Sequence, residues 1–327
     1  MTSVQERKIR QTGCEARFDN LTRQLYATDA SIYQIEPIGV VFPKSAEQAS
    51  LVIRAAADAG LSVTPRGAGT SLVGNAIGEG LIVEFSRYNR QITELDIEKR
   101  SVRVGAGLVL DQLNDFLKPH GFCFGPDVAT SSRATLGGMI ANNSSGARCP
   151  IYGTTADHVI SLEIVMADGR VEKIGPTHKS LRSERATIEN LIRAASAEMT
   201  DRWPRGLIKR WPGYGVERFL RAPNDLTNIL AGSEGTLAAI FSAQLKMRSS
   251  AESGSANYCS RPRLRYSAAW PSSERARNSR PKICGPPLIP SGACLVGSMS
   301  RISWTSSSAN SVLESSSSAS FNRLPVG

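Results

Sequence analysis

The sequence has few residues that could ligate a metal ion. Its 327 residues include only six cysteines and three histidines. The cysteines, at positions 14, 123, 149, 259, 284 and 294, form no Cys-x-x-Cys pair. Zinc and iron–sulfur sites usually need such closely spaced ligands, so we expect no metal site and isolated thiols in a reducing compartment.

Long apolar runs are also missing. No stretch approaches the roughly 18 consecutive apolar residues of a membrane-spanning helix, and the first residues, MTSVQERKIRQTG, contain no apolar core of a signal peptide. We therefore expect a cytoplasmic protein with no integral membrane segment.

Positive charge is unevenly distributed. Residues 248–327 hold ten Arg or Lys against three Asp or Glu, which is +7 of the net +10 and leaves +3 for residues 1–247. A uniformly basic domain would be typical of nucleic-acid binding. Binding through the Arg-rich tail alone stays as an alternative, recognisable by steeply salt-dependent affinity for DNA. Because the body is near neutral and the tail contains no recognised nucleic-acid-binding module, we expect no nucleic-acid partner.

The pattern of apolar residues up to 247 predicts an α+β fold. Residues 38–42, 45–59 and 61–64 read as strand, helix and strand, with Ser45 and Gln48 forming a capping-box pattern and Gly60 ending the helix. Further elements are predicted as strands at 81–85, two within 92–104, 159–167, 171–174 and 237–247, and as helices at 108–117 and 183–200.

Beyond Met247 this regularity stops. Residues 248–327 contain 22 serines and no sustained period of 2 or 3.6, so they cannot bury enough apolar surface to offset an ordering cost of roughly 1–2 kcal/mol per residue. We predict an N-terminal extension at 1–35, one domain at 36–247 and a disordered Ser/Arg/Pro-rich tail at 248–327.

The loop at 65–71 carries the first chemical signal. Gly67 and Gly69 suggest a dinucleotide fold, but position 72 is Leu, which excludes G-x-G-x-x-G, and no Lys-Ser/Thr ending marks a Walker loop. Successive backbone N–H groups beside small side chains can still form an anion site. An ordinary glycine-rich turn between strands is the alternative.

Two later segments are similarly poor in side chains. Residues 134–146 contain Gly137, Gly138 and Gly146, and residues 231–236 contain Gly232 and Gly235. Each could be the close-packed start of a helix, but three such segments in one domain favour a bound ligand.

Taken in order, these segments resemble the motifs of FAD-linked oxidases with a p-cresol methylhydroxylase-type FAD-binding domain. The motifs are Pro65-Arg66-Gly67-Ala68-Gly69-Thr70-Ser71, Gly125-Pro126-Asp127, Ala134-Thr135-Leu136-Gly137-Gly138-Met139, Asn142-Asn143-Ser144-Ser145-Gly146, Tyr152-Gly153 and Gly232-Ser233-Glu234-Gly235-Thr236-Leu237. The family includes D-lactate dehydrogenases, glycolate oxidase subunits and D-2-hydroxyglutarate dehydrogenases. Residues 25–31 are similar to large members fused to an iron–sulfur module, and the resemblance covers about residues 21–247.

The resemblance implies a two-subdomain FAD-binding domain and a role for particular residues. The 65–71 loop would hold the FAD pyrophosphate through backbone amides, and Ile240 would contact the adenosine half through its backbone. The implied cofactor-binding residues are Pro65, Arg66, Gly67, Ala68, Gly69, Thr70, Ser71, Pro126, Asp127, Thr135, Gly137, Gly138, Asn142, Ser145, Gly146, Gly232, Glu234, Gly235 and Ile240. Covalent members carry His where this chain has Thr70, so we predict non-covalent FAD.

The implied reaction is the oxidation of a small D-2-hydroxy acid, with hydride transfer from Cα to flavin N5 while a base takes the hydroxyl proton. No residue is assigned as that base, and the electron acceptor is unassigned. His120 is explained by its position at a helix end. His158, which follows Asp157, is the better functional candidate, although a structural role is favoured. Arg66 and Arg148 could meet a phosphate or carboxylate or be solvated.

The family pattern breaks after residue 247, where members continue into a cap domain and this chain continues into its Ser/Arg/Pro-rich tail. We interpret 248–327 as translated out of frame, a hypothesis that reading the gene in its other frames would test. The alternative function is therefore a truncated, catalytically inactive FAD-binding protein. A nucleotide-sugar reductase of the same superfamily is a further alternative, which the motifs at 142–146 and 232–237 disfavour.

Overall fold

Two β-sheets, each with its own apolar core, organise the residues that the computed structural model describes, namely 2–202 and 213–250. The first sheet has the order β1-β2-β4-β3, and the second has the order β5-β6-β10-β8-β9. This architecture agrees with the predicted α+β class.

The first sheet is mostly parallel. Its strands are β1 (Glu15–Arg17), β2 (Gly39–Phe42), β3 (Val63–Arg66) and β4 (Leu81–Glu84). Strands β2, β4 and β3 run parallel, and β1 lies antiparallel to β2. Every residue of β2 and β4 is buried, as expected for parallel strands covered on both faces.

Helix α3 (Ala46–Asp58) connects β2 to β3 and confirms the predicted strand–helix–strand unit. Its N-cap is Ser45, whose Oγ accepts the Gln48 N–H at 3.2 Å. The Gln48 side chain accepts the Lys44 N–H at 2.9 Å, so the reciprocal bond of the predicted capping box is made one residue earlier. Gly60 has φ +66°, the left-handed conformation that its position after the helix predicts.

The second sheet is antiparallel and has a strand from the end of the described chain near its centre. It consists of β5 (Ile92–Asp96), β6 (Ser101–Gly105), β8 (Val159–Val165), β9 (Val171–Ile174) and β10 (Ala239–Lys246). Strand β10 pairs with both β6 and β8. The sheet is therefore complete only after the chain has passed through the segments between β9 and β10.

The remaining elements surround the two sheets. They are α1 (Ser3–Arg10), α2 (Asn20–Leu25), α4 (Leu110–Leu117), α5 (Leu136–Ala141), α6 (Cys149–Tyr152), α7 (Arg182–Arg202), α8 (Val216–Arg221), α9 (Thr227–Leu230) and two 3-10 turns, Lys118–His120 and Thr155–His158. Helices α4 and α7 confirm the two helices predicted at 108–117 and 183–200.

The two sheets share a boundary. Val165, Ala239 and Phe241 of the second sheet lie in the same apolar cluster as α3 and β4. The ring of Phe241 packs edge-on against Phe85, with 6.1 Å between ring centroids. The carboxyl end of β3 and the start of β10 are thereby held close together.

The described chain ends in a short strand pair. β11 (Arg248–Ser249) lies antiparallel to β7 (Phe122–Cys123), and the Ser250 N–H donates to the Gly121 carbonyl at 2.9 Å. From residue 251 onward the predicted disordered tail lies outside the described residues. Within the described ranges, no helix is both long and apolar enough to span a membrane.

We expect Ser45→Ala to lower the free energy of unfolding by about 0.5–2 kcal/mol, because the Gln48 N–H at the start of α3 loses its acceptor. Urea denaturation followed by circular dichroism measures this change. Ser132→Ala is the control, since Ser132 is exposed and should change stability by less than about 0.5 kcal/mol. Equal effects of the two substitutions would contradict the capping role.

Candidate cofactor site

The three glycine-containing segments converge where the two sheets meet. The 65–71 loop follows the carboxyl end of β3, and a Cβ added at Gly67 would overlap Oγ1 of Thr135, the N-cap of α5. A Cβ at Gly235 would lie 3.5 Å from Cδ of Pro65. The Gly232 N–H donates to the Ile140 carbonyl at 3.0 Å, which ties the third segment to the end of α5.

The 65–71 loop presents a row of available donors. Its five backbone N–H groups, from Gly67 to Ser71, donate to no other group in the described ranges. The Gly69 carbonyl accepts the Ala30 N–H at 3.0 Å, and Gly69 has φ +65°. Since none of residues 67–71 is fully buried and their donors are adjacent, the loop has the form of an anion-binding nest.

Thr135 adds a donor from the opposite side of this loop. It is only 2 % exposed, and its Oγ1 has no hydrogen-bond partner within the described part of the chain. A Cβ at Gly138 would lie 3.2 Å from the same oxygen. An unpartnered buried hydroxyl costs free energy, so its position between two glycines indicates a polar group that belongs there.

The two glycines of α5 have different roles. The Gly137 N–H donates to the Ala106 carbonyl at 2.8 Å, and a Cβ at Gly137 would lie 2.6 Å from the Ala106 Cβ. Gly137 is thus explained by close packing against the end of β6, as the helix-start alternative predicts. Gly138 is exposed and faces the site.

Residues 142–146 lie against the 125–127 turn. A Cβ at Gly146 would overlap the Asp127 carbonyl. The Ser144 carbonyl accepts the Thr155 N–H at 3.0 Å and Oγ1 at 2.7 Å, whereas the N–H groups of Ser145 and Gly146 have no acceptor in the described ranges. The hydrogen bonds to the Ser144 carbonyl therefore fix the segment, while the N–H groups of Ser145 and Gly146 stay available as donors.

Arg66 is neither solvated nor directed at an anion, which are the two roles that the sequence left open. Its guanidinium is buried and donates to the carbonyls of Tyr26 at 3.2 Å, Thr28 at 2.7 Å and Ala76 at 2.9 Å. Desolvation lowers the pKa of Arg66, although the group stays protonated. Its side chain is committed to protein carbonyls.

An apolar cleft opens beside Pro65 and Gly235. It is lined mainly by Ile53, Ala57, Val63, Val165, Leu237 and Ala239. Ile240 follows this cleft in β10, with its side chain in the core and its backbone paired with Ile164 next to a register shift. The cleft is thus an apolar gap of about 30 Å³, and Ile240 can contribute only its backbone beside it.

His158 is a buried structural residue. Its Nε2 lies 2.9 Å from the Tyr152 carbonyl, and its ring packs edge-on against Phe124 at 5.4 Å. Burial lowers the pKa of His158, which favours the neutral ring. In the described ranges no three His, Cys, Asp or Glu side chains are grouped as metal ligands.

One buried ion pair near the site was missed from the sequence. Arg218 of α8 lies 2.5 Å from Asp157, whose other oxygen accepts the Thr154 N–H at 2.8 Å. Thr154 and Asp157 form a capping pattern that is visible in the sequence, but their partner lies 61 positions later than Asp157. Only the packing of α8 brings Arg218 to this turn.

Comparison with protein families and curated proteins gives consistent results. Residues 37–175 match the family model described as an FAD binding domain. D-2-hydroxyglutarate dehydrogenase from Escherichia coli (strain K12) is 39% identical over 240 residues, which cover 68% of this chain and 24% of that protein. D-lactate dehydrogenase from Archaeoglobus fulgidus is 33% identical over 71% of this chain and 42% of its own length.

Glycolate oxidase subunit GlcD from Bacillus subtilis is 29% identical over 75% of this chain and 44% of its own length. A solved structure of alkyldihydroxyacetonephosphate synthase superposes with a TM-score of 0.56, covering 76% of this chain and 41% of that one at 19% identity. At that identity the likeness concerns the fold alone. The chain matches only about a quarter of the length of the D-2-hydroxyglutarate dehydrogenases.

We expect Gly67→Ala to lower the free energy of unfolding by about 1–3 kcal/mol, because the new methyl group would overlap Thr135 Oγ1. The cost should shrink in a Thr135→Ala background, where that oxygen is gone. A double-mutant cycle measured by urea denaturation tests this contact. Additive effects of the two substitutions would show that the loop and α5 do not touch there.

Proposed function

The chain carries an FAD-binding domain of the FAD-linked oxidase family, and we propose that the convergent site described above holds FAD without a covalent bond. The observation that carries this proposal is the row of unpaired backbone N–H groups at 67–71, which faces the orphaned hydroxyl of Thr135. Together they suit the oxygens of a pyrophosphate.

Each part of the site has a proposed role. The 65–71 loop, Thr135 and Gly138 hold the pyrophosphate, and the Ile240 backbone contacts the adenosine half. Residues 126–127 and 142–146, with Gly232, Glu234 and Gly235, bound the remainder of the cofactor. Thr70 stands where a covalent relative would carry His, which supports non-covalent attachment.

We propose that the activity is the oxidation of a D-2-hydroxy acid, as the names of the curated relatives suggest. FAD supplies a hydride acceptor for such a substrate. What the described residues contribute is cofactor binding, orientation of the cofactor through short backbone contacts, and exclusion of water from the buried side of the site. The p-cresol methylhydroxylase-type arrangement of two subdomains is part of this proposal, with each sheet as one subdomain.

A truncated FAD-binding protein without activity is the second candidate. The matched part of this chain corresponds to about a quarter of the length of the D-2-hydroxyglutarate dehydrogenases. A substrate must be positioned in a closed site for efficient hydride transfer. The expectations of a cytoplasmic protein and of no nucleic-acid partner stay predictions.

We expect Thr70→Asp to weaken FAD binding by about tenfold or more, since a carboxylate beside the pyrophosphate adds like-charge repulsion. Thr70→Asn is the matched neutral control and should stay within about threefold of the unaltered protein. Titration of the apoprotein with FAD, followed by flavin fluorescence, gives the dissociation constants. If both variants bind FAD equally, the pyrophosphate does not lie at this loop.

The reaction is tested on the FAD-loaded full chain. Acid precipitation should release the flavin into the supernatant if attachment is non-covalent. D-2-Hydroxyglutarate, D-lactate and glycolate are then added in turn without oxygen, and loss of the visible flavin absorption identifies a substrate. A yellow protein that none of them bleaches would favour the inactive alternative.

A further inference from the structure

We propose that Arg66 is a positioning residue that shapes the 67–71 loop for anion binding by tying it to the N-terminal segment 26–30. This inference rests on the proposed FAD site and assigns a new role within it. Arg66 contacts the side of the loop that faces the N-terminal segment, and it does not contact the pyrophosphate.

The hydrogen bonds of Arg66 join two parts of the chain. Nη1 donates to the carbonyls of Tyr26 and Ala76, at 3.2 and 2.9 Å, and Nη2 donates to that of Thr28 at 2.7 Å. Tyr26 and Thr28 belong to the N-terminal segment, whereas Ala76 lies just beyond the glycine-rich loop. One planar group therefore fixes the N-terminal segment and the far end of the loop in a single geometry.

The loop is closely fitted around this guanidinium. A Cβ at Gly69 would lie 2.7 Å from Nη2, and Gly69 has φ +65°. The Tyr26 ring covers the guanidinium, with Cζ 5.1 Å from the ring centroid. Rotation of the Arg66 side chain toward the open face of the loop would break three charge-assisted bonds to part-buried carbonyls, which other donors would then have to satisfy.

Backbone contacts strengthen the same connection. The Ala30 N–H donates to the Gly69 carbonyl at 3.0 Å. Asp29 accepts the N–H of Ser31 at 2.8 Å and that of Ala76 at 3.4 Å. Because the carbonyls of Gly69 and Ala76 accept from Ala30 and Arg66, the backbone of the loop is fixed relative to the N-terminal segment, and the N–H groups of 67–71 stay available. Residues 26–30, within the predicted N-terminal extension, are then part of the site.

Arg66→Lys separates geometry from charge. Lysine keeps the positive charge but lacks the planar fork that reaches three carbonyls. We expect it to weaken FAD and ADP binding by about tenfold or more. In the apoprotein, we expect faster amide hydrogen exchange at Ala30, Ser31, Val73 and Ala76, whose N–H groups are hydrogen-bonded in this connection. Arg23→Gln is the control, because Arg23 bonds the Pro37 carbonyl and Glu36 in the same N-terminal region without reaching the loop.

The exchange measurement on the apoprotein distinguishes this inference from the proposed function. Weaker binding with unchanged apoprotein exchange would show that Arg66 contacts the anion directly and would overturn the positioning role. Unchanged affinity would overturn it as well. If the unaltered protein bound neither FAD nor ADP, the proposed function would fail, while the exchange data would still report on the connection.

If the Arg66→Lys variant does not fold, Tyr26→Leu is the test instead, because it removes the ring over the guanidinium and leaves Arg66 in place. We expect Tyr26→Leu to raise apoprotein exchange at Ala30, Val73 and Ala76 above that of Arg23→Gln and to weaken FAD binding by about threefold. Exchange equal to that of Arg23→Gln would overturn the proposal.

Discussion

The close approach of the 65–71 loop to the start of α5 is the contact on which the candidate site depends. No side chain larger than hydrogen fits at Gly67 without displacing Thr135. This contact brings a loop from the parallel sheet against a helix that packs on the antiparallel sheet. The backbone donors of one segment thereby lie beside the buried hydroxyl of the other.

Charged side chains that lie outside the proposed cofactor contacts hold the segments of the site in place. Arg66 occupies the carbonyls around the first loop, and Asp157 with Arg218 fixes the turn that anchors Ser144 through Thr155. In both places a charged group bonds to neighbouring residues and the N–H groups on the other side stay available. This arrangement suits the binding of an anion by main-chain N–H groups, because no positively charged side chain is needed at the site itself.

The described residues bear more directly on cofactor binding than on a reaction. They bring the three glycine-containing segments together beside the buried hydroxyl of Thr135. The matched portion of this chain corresponds to 24% to 44% of the length of its relatives. The oxidation of a hydroxy acid is therefore a proposal drawn from likeness to longer proteins.

Much of the fold follows from local sequence. The unit from β2 through α3 to β3 is set by its apolar runs, by Ser45 at the helix start and by Gly60 at its end. The three glycine-containing segments can also be recognised from the sequence, because a run of small residues is identifiable without knowledge of its tertiary contacts. Only the tertiary structure decided which glycines face the site, because Gly137 packs against Ala106 whereas Gly138 is exposed. It also decided that Arg66 bonds to carbonyls and that Arg218 reaches Asp157, because such contacts depend on residues distant along the chain that only packing brings together.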